Sequence, residues 1–201
     1  MVNLAVLTIG HSNHSIARFT ELLRAHAVTA VADVRSRPYS RLYPDFNQES
    51  LAEALKNQGI AYVFLGAELG ARSEDPACYE HGRVQYRKLA KTSLFQAGLR
   101  RVIDGAGTYR LALLCAEKEP LACHRTLLVS RELEAAGVAV THIHGDGRLE
   151  LQSEAMTRLV RLLGMPDTDL YRSKEELIAD ACAAQEQRIA YVDEKMRAGA
   201  D

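Results

Sequence analysis

The sequence predicts an α/β fold with an open, mostly parallel five-stranded sheet, helices on both faces and additional helices at the C-terminus. Short apolar runs alternate with longer amphipathic segments, which is typical of repeated βα units. The run YRLALLC (109–115) is almost wholly apolar, as expected for a central strand that is covered on both faces. The chain of 201 residues is long enough for one such domain. We therefore assign residues 1–165 to an α/β domain and residues 166–201 to a C-terminal helical extension.

Each element is predicted from a local pattern. Five apolar runs predict strands over residues 4–9, 28–34, 60–65, 109–115 and 138–143. Amphipathic periodicity predicts helices over residues 15–25, 48–58, 83–104, 126–137 and 149–163, and a charged, alanine-rich stretch predicts another over 173–197. Ser15 and Asn47 are the expected N-caps of two helices, because their short polar side chains can accept hydrogen bonds from free backbone N–H groups. Gly59 and Gly137 are expected to end helices.

Composition and charge narrow the classes of function. The chain is 47% hydrophobic and 25% charged, with a net charge of −1, so an anion would have to bind at a local cluster of positive charge. The first apolar run has only six or seven residues and no basic region before it, which indicates a strand and not a signal peptide. No run approaches the roughly 20 apolar residues of a membrane span. Four cysteines without an export signal favour reduced thiols in a cytoplasmic protein.

Ionisable and polar residues collect directly after the predicted strands. They are His11 and Ser12 after the first strand, Asp33, Arg35, Arg37 and Arg41 after the second, and Cys115, Glu117, Cys123, His124 and Arg125 after the fourth. The turns that lead from helices back into strands carry little such chemistry. Because ligands bind to open parallel sheets outside the carboxyl ends of the strands, this asymmetry predicts one functional crevice at that edge.

The arginines after the second strand predict an anion site. Arg35, Arg37 and Arg41 form a local basic cluster, and arginine suits the planar, bidentate recognition of phosphate or carboxylate. The helix that begins near His124 would direct backbone N–H groups at the same crevice. In the alternative interpretation the arginines lie on a solvated loop and pair with acidic neighbours, namely Asp33, Asp45 and Glu49. The chain has neither a Walker loop nor a dinucleotide fingerprint, so no cofactor is predicted.

The two cysteines after the fourth strand differ in their surroundings. Cys123 precedes His124 and Arg125 at a predicted helix N-terminus, where the pKa of a thiol is lowered and the thiolate becomes a nucleophile. Cys115 ends a buried strand and could be a small core residue. Seven residues separate the two cysteines, more than the roughly two to four of a zinc knuckle, and no metal is assigned. Even so, both cysteines, His124 and His11 could meet around a metal ion.

Three functions follow from these residues and stay open. The leading one is an enzyme, a hydrolase or transferase, that acts on a phosphate-bearing or nucleotide-like substrate. Cys123 would be its nucleophile, Glu117 or His11 its general acid or base, and Asp33 a second carboxylate or the partner of an arginine. Substrate contacts are assigned to Ser12, Arg35, Arg37, Arg41, His124 and Arg125. The alternatives are a non-catalytic module that binds a nucleotide or a nucleic-acid end, and a metalloprotein with cysteine and histidine ligands. A second copy of the chain is a further candidate partner, and no membrane is expected.

Five stretches of the chain together resemble the family called domain of unknown function 488. They are TIGHS, VADVRSRPYSR, GIAYVFLGAELGAR, LLCAEKEPLACHR and VTHI, within roughly residues 5–145. The resemblance implies a Rossmann-like α/β domain but supplies no established reaction. It places on the family's motif positions His11, Ser12, Asp33, Arg35, Pro38, Arg41, Cys115, Glu117, Cys123, His124 and Arg125. One departure is Ala71, which stands where the family usually has a glycine, and the C-terminal 50 or so residues lie outside the resemblance.

Overall fold

The computed structural model describes residues 4–166 and 168–197 as an α/β fold. Its strands are β1 (Ala5–Gly10), β2 (Ala30–Asp33), β3 (Ala61–Phe64), β4 (Tyr79–Glu80), β5 (Arg83–Val84), β6 (Leu111–Cys115), β7 (Ala139–Ile143) and β8 (Leu149–Leu151). Its helices are α1 (Ile16–Ala25), α2 (Gln48–Asn57), α3 (Gly66–Leu69), α4 (Tyr86–Leu89), α5 (Ser93–Ala106), α6 (Arg131–Ala135), α7 (Gln152–Leu162), α8 (Lys174–Ile189) and α9 (Glu194–Arg197). A π-helical segment, Arg125–Ser130, runs directly into α6. The two regions assigned from the sequence, 1–165 and 166–201, also contain residues 1–3, 167 and 198–201, which lie outside the described residues.

The described strands form a six-stranded sheet in the order β3–β2–β6–β1–β7–β8 and a separate hairpin of β4 and β5. The first five strands in this order are parallel to their neighbours, and β8 is antiparallel to β7. The prediction of an α/β fold with a mostly parallel sheet and additional C-terminal helices is therefore confirmed.

The predicted sheet of five strands is one strand too small, because β8 extends it and occupies the start of the helix predicted over 149–163. The hairpin of β4 and β5 is a further departure from the prediction. Gly147 has a φ of 93°, a conformation that glycine adopts readily, and it lets the chain reverse after β7. In β8 the buried residue is Glu150, and Leu149 and Leu151 are exposed. A surface strand normally buries its apolar residues and exposes its charged ones, and β8 does the opposite. Its sequence therefore continues the amphipathic pattern of α7 and does not indicate a strand.

Three other local predictions also need correction. The helix predicted over residues 173–197 consists of α8 and α9, with a break between them. The single helix predicted over residues 83–104 consists of β5, α4 and α5. The Thr92 hydroxyl accepts a hydrogen bond from the Phe95 N–H at 3.2 Å and begins α5 as a separate helix. Ser15 caps α1 as predicted. The Asn47 side chain does not cap α2 but accepts a bond from the backbone of the loop before it at 2.7 Å.

Helices cover both faces of the sheet and enclose two separate hydrophobic cores. Successive side chains of a strand point to opposite faces, so Leu113 of β6 enters one core and Leu114 enters the other. Phe19 of α1 and Leu51 of α2 pack in the core that contains Leu114. Residues of α5, α6, α7 and α8 pack in the core that contains Leu113. This double burial explains why the sequence of β6 is apolar without interruption.

The order of the strands creates a crevice at the carboxyl edge of the sheet. From β1 and from β2 the chain crosses toward the β3 side, and from β6 it crosses toward the β7 side. Ligands of open α/β sheets bind where neighbouring connections leave in opposite directions. The loops after β1, β2 and β6 meet at this point.

Gly10 allows the loops after β1 and β6 to pack against each other. The His11 N–H donates to the Cys115 carbonyl at 3.0 Å, and the Ser12 N–H donates to the Ala116 carbonyl at 2.9 Å. A Cβ atom on Gly10 would collide with the carbonyl oxygen of Glu117. Only glycine therefore fits at this end of β1 without displacing the loop.

We expect Gly10→Ala to lower the free energy of unfolding by about 1–3 kcal/mol, the usual cost of overpacking. Gly105→Ala is the matched control, because a Cβ atom there has its nearest neighbour at 3.6 Å and lies within α5. That variant should be as stable as the parent or more stable by up to about 1 kcal/mol. Urea denaturation of the three proteins measures both effects, and equal stability of all three would contradict the prediction.

Candidate functional site

Two adjoining pockets lie at the carboxyl edge of the sheet and share Arg35, Arg37 and Ala116 in their walls. The thiol pocket has a volume of about 220 Å³, and its other walls include Arg72, Tyr86, Cys115, Glu117, His124 and Tyr191. The tyrosine pocket has a volume of about 670 Å³, and its other walls include His11, Ser12, Tyr39, Tyr43 and Lys118. Together they form one cleft along the ends of β1, β2 and β6.

Asp33 and Arg35 form a buried ion pair behind this cleft. The Arg35 Nε and Nη2 atoms donate to the two carboxylate oxygens of Asp33 at 2.9 and 2.6 Å, and Nη2 also donates to the Phe46 carbonyl at 2.9 Å. The Tyr62 hydroxyl donates to the same carboxylate at 2.9 Å. Burial and the Asp33 charge raise the pKa of Tyr62 above its ordinary value. Asp33 thus orients an arginine, which is one of the two roles predicted for it. The ion pair also holds the loop after β2 in place, because Arg35 donates to the Phe46 carbonyl as well.

Arg125 lies beneath the loop after β6, away from the walls of both pockets. Its side chain is fully buried. Its Nη1 atom donates to the Glu117 carbonyl at 2.7 Å, and its Nη2 atom donates to the Lys118 carbonyl at 3.4 Å. Its Nε atom has no hydrogen-bond partner among the described residues. Arg125 was predicted to contact substrate, whereas its observed contacts hold the backbone of the loop.

Four side chains meet at and directly behind the floor of the thiol pocket, and we call Cys115, Glu117, Cys123 and His124 the thiol cluster. The Cys115 and Cys123 sulfurs lie 3.0 and 3.1 Å from one Glu117 oxygen, Oε2. The same sulfurs lie 3.6 and 3.9 Å from Nδ1 of His124. The other ring nitrogen, Nε2, donates to the Val34 carbonyl at 3.1 Å. This last bond places a proton on Nε2 and directs Nδ1 at the two sulfurs.

The local structure explains how residues eight apart reach one place. Strand β6 ends at Cys115, and a 3-10 turn, Pro120–Ala122, reverses the chain toward Cys123. The π-helical segment then begins next to His124, and its wide turn is closed by a bond from the Ser130 hydroxyl to the Arg125 carbonyl at 2.7 Å. Single π-helical turns occur often at functional sites.

The pKa values of the four groups in the thiol cluster are shifted in different directions. Burial alone would raise the pKa of Cys123, but the Cys115 hydrogen bond, the Arg125 charge and His124 hold that pKa well below its ordinary value. Burial and the neighbouring Cys123 raise the pKa of Cys115 well above its ordinary value. Partial burial and Cys123 also raise the pKa of Glu117. Burial opposes the charged form of His124, yet the hydrogen bond to Cys123 raises the pKa of His124 overall.

The two thiols differ in their access to the cleft. Cys115 is 3% exposed and lines the thiol pocket, whereas Cys123 is 1% exposed and lies behind that wall. The predicted nucleophile is therefore the less accessible of the two sulfurs. A bulky substrate in the thiol pocket would touch Cys115 and Glu117 before it reached Cys123.

His11 belongs to the tyrosine pocket and not to the thiol cluster. Its ring stacks on Phe46, with 4.4 Å between ring centres. Its Nδ1 atom lies 2.9 Å from the Ser12 carbonyl, which assigns a proton to Nδ1 and leaves Nε2 as an acceptor. Burial and the Arg35 charge lower the pKa of His11 to about 4. At neutral pH this histidine is therefore an uncharged base at the wall of the cleft.

The exposed arginines after β2 are placed differently. Arg37 borders both pockets, whereas Arg41 lies outside their walls. The sequence places Arg72 after the third predicted strand, at the functional edge, but assigns no role to it or to Lys118, Tyr86 and Tyr191. Arg72 follows β3 and Lys118 lies in the loop after β6, so their positions after strands could have revealed them. Tyr86 and Tyr191 come from segments without such a signal, and Tyr191 stacks under the Arg72 guanidinium, 4.6 Å from its ring centre.

A family model described as "Domain of unknown function DUF488" matches residues 15–131, which is more than half of the chain. The chain belongs to this family. The DUF488 match is shorter at both ends than the resemblance within residues 5–145, but it contains the whole thiol cluster and the loop after β2. The DUF488 segment does not include His11 and Ser12, or the C-terminal residues that line the thiol pocket. No curated protein and no solved structure matches the chain.

Arg35→Ala should lower the free energy of unfolding by about 3–5 kcal/mol, because it leaves the buried Asp33 carboxylate without its counter-charge. Arg37→Ala is the matched control, since Arg37 is exposed and its loss should change stability by no more than about 0.5 kcal/mol. Urea denaturation at neutral pH compares the two variants. A variant Arg35→Ala as stable as Arg37→Ala would show that the Asp33 pair does not brace the loop.

A second prediction concerns His142, which is fully buried in β7. The Thr8 hydroxyl lies 2.8 Å from Nδ1, and Nε2 lies 2.7 Å from the Gln152 side-chain oxygen. Because the Gln152 amide nitrogen donates to the Thr126 carbonyl, its oxygen faces the ring and Nε2 carries the proton. Burial and the Arg125 charge lower the pKa of His142 from 6.5 to about 4.

As the pH falls, His142 therefore takes up a proton at a higher pH in the unfolded chain than in the folded chain. The free energy of unfolding should consequently decrease between pH 6.5 and about pH 4. The contribution lost over this window is about 3 kcal/mol. His142→Gln should remove that part of the pH dependence, whatever its effect on stability at pH 7. Urea denaturation at several pH values tests this, and parallel pH profiles for variant and parent would contradict it.

Proposed function

We propose that the protein is an enzyme that hydrolyses a phosphate-bearing, nucleotide-like small molecule bound in the cleft. The observation that carries the proposal is an acid–base and thiol cluster at the floor of a cleft whose rim is positively charged. The reaction centre is the thiol cluster. The binding groups are the charged and aromatic side chains of the rim.

The charge of the rim favours an anionic substrate. Arg37, Arg72 and Lys118 line the cleft, and none of them forms an ion pair within residues 4–166 and 168–197. Glu117 is an acidic wall residue, and the nearby Asp33 is already neutralised by its bond to Arg35. The whole chain has a net charge of −1, so the excess of positive charge is particular to this cleft. Guanidinium groups bind phosphate through paired hydrogen bonds.

The size and the aromatic walls of the tyrosine pocket favour a nucleotide-like molecule. Its volume is about 670 Å³, within the range of roughly 300–1,000 Å³ that is usual for small-molecule sites. Tyr39 and Tyr43 are 69% and 37% exposed and offer flat faces on which a base or sugar can pack. The phosphate would then lie near Arg37, between the two pockets.

Glu117 is suited to act as the general base. It lines the thiol pocket, and its raised pKa brings its proton affinity closer to neutral pH, where general acid–base catalysis is most efficient. In the proposed step a water oxygen forms a bond to phosphorus while Glu117 accepts the water proton. The bond from phosphorus to the leaving oxygen breaks, and Glu117 returns the proton to that oxygen. Water is the proposed nucleophile because it can enter the thiol pocket, whereas the Cys123 sulfur lies behind the wall of that pocket and cannot reach a bound substrate.

The remaining features of the chain agree with a reducing compartment. All four cysteines are unpaired, and we propose a cytoplasmic location for the enzyme. Among the described helices, none has the length and apolar character that crossing a membrane requires. A module that binds the same nucleotide or a nucleic-acid end without chemistry is the alternative that the experiment below separates.

The proposal is tested by measuring binding and turnover of nucleoside mono- and diphosphates and of chromogenic phosphate esters. Glu117→Gln should lower kcat by about 10²- to 10⁴-fold with little change in binding. Arg37→Ala and Arg72→Ala should weaken binding by roughly 10- to 100-fold, the effect of one charged hydrogen bond. Arg100→Ala is the control, because Arg100 is exposed on α5 and carries the same charge away from the cleft.

Two outcomes would overturn the enzyme proposal. A ligand that binds through Arg37 and Arg72 but is recovered unchanged after long incubation would identify a binding module. Equal effects of Arg37→Ala and Arg100→Ala would show that the rim does not recognise the phosphate.

A further inference from the structure

We infer that Cys115, Cys123 and His124 bind one zinc-type divalent metal ion, with the fourth coordination position open to the thiol pocket. The three ligand atoms lie within 4.8 Å of one another. The inference stands on the geometry of these side chains. Its catalytic consequence, a metal-activated water beside Glu117, rests on the proposed function.

The distances match a tetrahedral site before any metal is added. Zinc binds sulfur at about 2.3 Å and imidazole nitrogen at about 2.0–2.1 Å, so two such ligands on one tetrahedral ion lie about 3.6 Å apart. The distances from Nδ1 of His124 to the sulfurs of Cys115 and Cys123 are 3.6 and 3.9 Å. An ion can therefore enter between these atoms with only small changes in side-chain position.

The orientation of His124 is that of a metal ligand. Its Nε2–H donates to the Val34 carbonyl at 3.1 Å, so Nδ1 faces the two sulfurs and becomes a ligand atom once a metal displaces any proton on it. Histidine ligands of metals almost always donate their other ring N–H to a carbonyl or carboxylate, which fixes the tautomer and the ring plane. Val34 is the residue directly after β2, so the sheet itself holds this ring in place.

The chemistry of the donors favours zinc over harder cations. Two thiolates and one imidazole prefer zinc-type ions, whereas magnesium and calcium prefer oxygen ligands. The sulfurs of Cys115 and Cys123 are almost completely buried, where thiolates need compensating positive charge. The nearby buried cations include Arg35 and Arg125, and their guanidinium groups are engaged by the Asp33 carboxylate and by backbone carbonyls. A divalent ion would balance both thiolates directly.

The fourth position faces the cleft beside Glu117. The Glu117 Oε2 atom lies 3.0 and 3.1 Å from the two sulfurs, and Cys115, Glu117 and His124 all line the thiol pocket. Zinc sites with three protein ligands and an open position are catalytic rather than structural, because the open position holds a water whose pKa the metal lowers. Glu117 is placed to accept a proton from such a water.

Metal binding is tested on the full-length protein, stripped with a chelator under reducing conditions and then titrated with Zn²⁺ or Co²⁺. The parent should bind about one Zn²⁺ per chain, and Co²⁺ should produce the thiolate-to-metal charge-transfer band and the intense visible bands of a tetrahedral site. Cys115→Ser, Cys123→Ser and His124→Ala should each weaken Zn²⁺ binding by more than about 100-fold, a larger loss than removal of an outer-shell partner causes. Cys182→Ser is the matched control, because Cys182 is equally buried in α8.

Thermal melting with and without Zn²⁺ separates loss of binding from loss of folding. Zn²⁺ should raise the Tm of the parent and of Cys182→Ser, because an ion that binds only the folded state stabilises it, and should leave the Tm of Cys115→Ser unchanged. The inference is overturned if the parent and Cys115→Ser bind Zn²⁺ equally, or if the parent binds none. It is also overturned if Cys115 and Cys123 form a disulfide under the same reducing conditions.

The metal and the enzymatic function can fail separately. Stoichiometric Zn²⁺ binding without turnover of any phosphate ester would sustain the metal site and reject the hydrolase. Turnover of a phosphate ester by protein that binds no Zn²⁺ would reject the metal site and sustain the hydrolase.

Discussion

The buried guanidinium of Arg125 is the interaction on which the carboxyl edge of the sheet depends. It donates to the Glu117 carbonyl, and the same carbonyl oxygen approaches Gly10 so closely that no side chain fits there. One hydrogen bond therefore fixes the position of the loop after β6 relative to the sheet and its packing against the loop after β1. Because Cys123 and His124 directly precede Arg125 in the chain, that contact also fixes where the thiol cluster lies. Its charge lowers the pKa of Cys123, so the same group that shapes the loop tunes its chemistry.

The arginines of this protein divide into two groups that the sequence does not distinguish. Arg35 and Arg125 are buried and satisfy a carboxylate or backbone carbonyls, so they hold the loops that form the cleft. Arg37 and Arg72 keep their guanidinium groups at its surface. A buried arginine without its partner is costly, whereas an exposed one changes stability little. The first group therefore stabilises the fold and the second is placed for the anion binding proposed above, although Arg35 and Arg37 are only two residues apart.

The sequence predicts the parallel sheet and the gathering of residues at its carboxyl edge because both depend on local patterns. Apolar runs mark strands, and the residues after parallel strands must share an edge. It does not reveal which arginine pairs with Asp33, that Cys123 lies behind Cys115, or that Tyr191 reaches the cleft. The first two depend on the exact path of the loops after β2 and β6, and the third depends on packing between residues far apart in the chain. The strand β8 was missed for a different reason, since its buried residue is Glu150 and its exposed residues are leucines.

The end of α8 and the segment after it give the thiol pocket a wall that lies outside the family match. Ile189 and Tyr191 line the pocket, and Val192 pairs with Arg83, which anchors the segment to the β4–β5 hairpin. The floor of the pocket, in contrast, comes from within residues 15–131. The floor of the pocket and this part of its wall thus come from separate stretches of the chain. Under the proposed function, a change at the C-terminus would alter which molecules enter while the thiol cluster stays intact, so substrate range would diverge among relatives without any change in the proposed reacting groups.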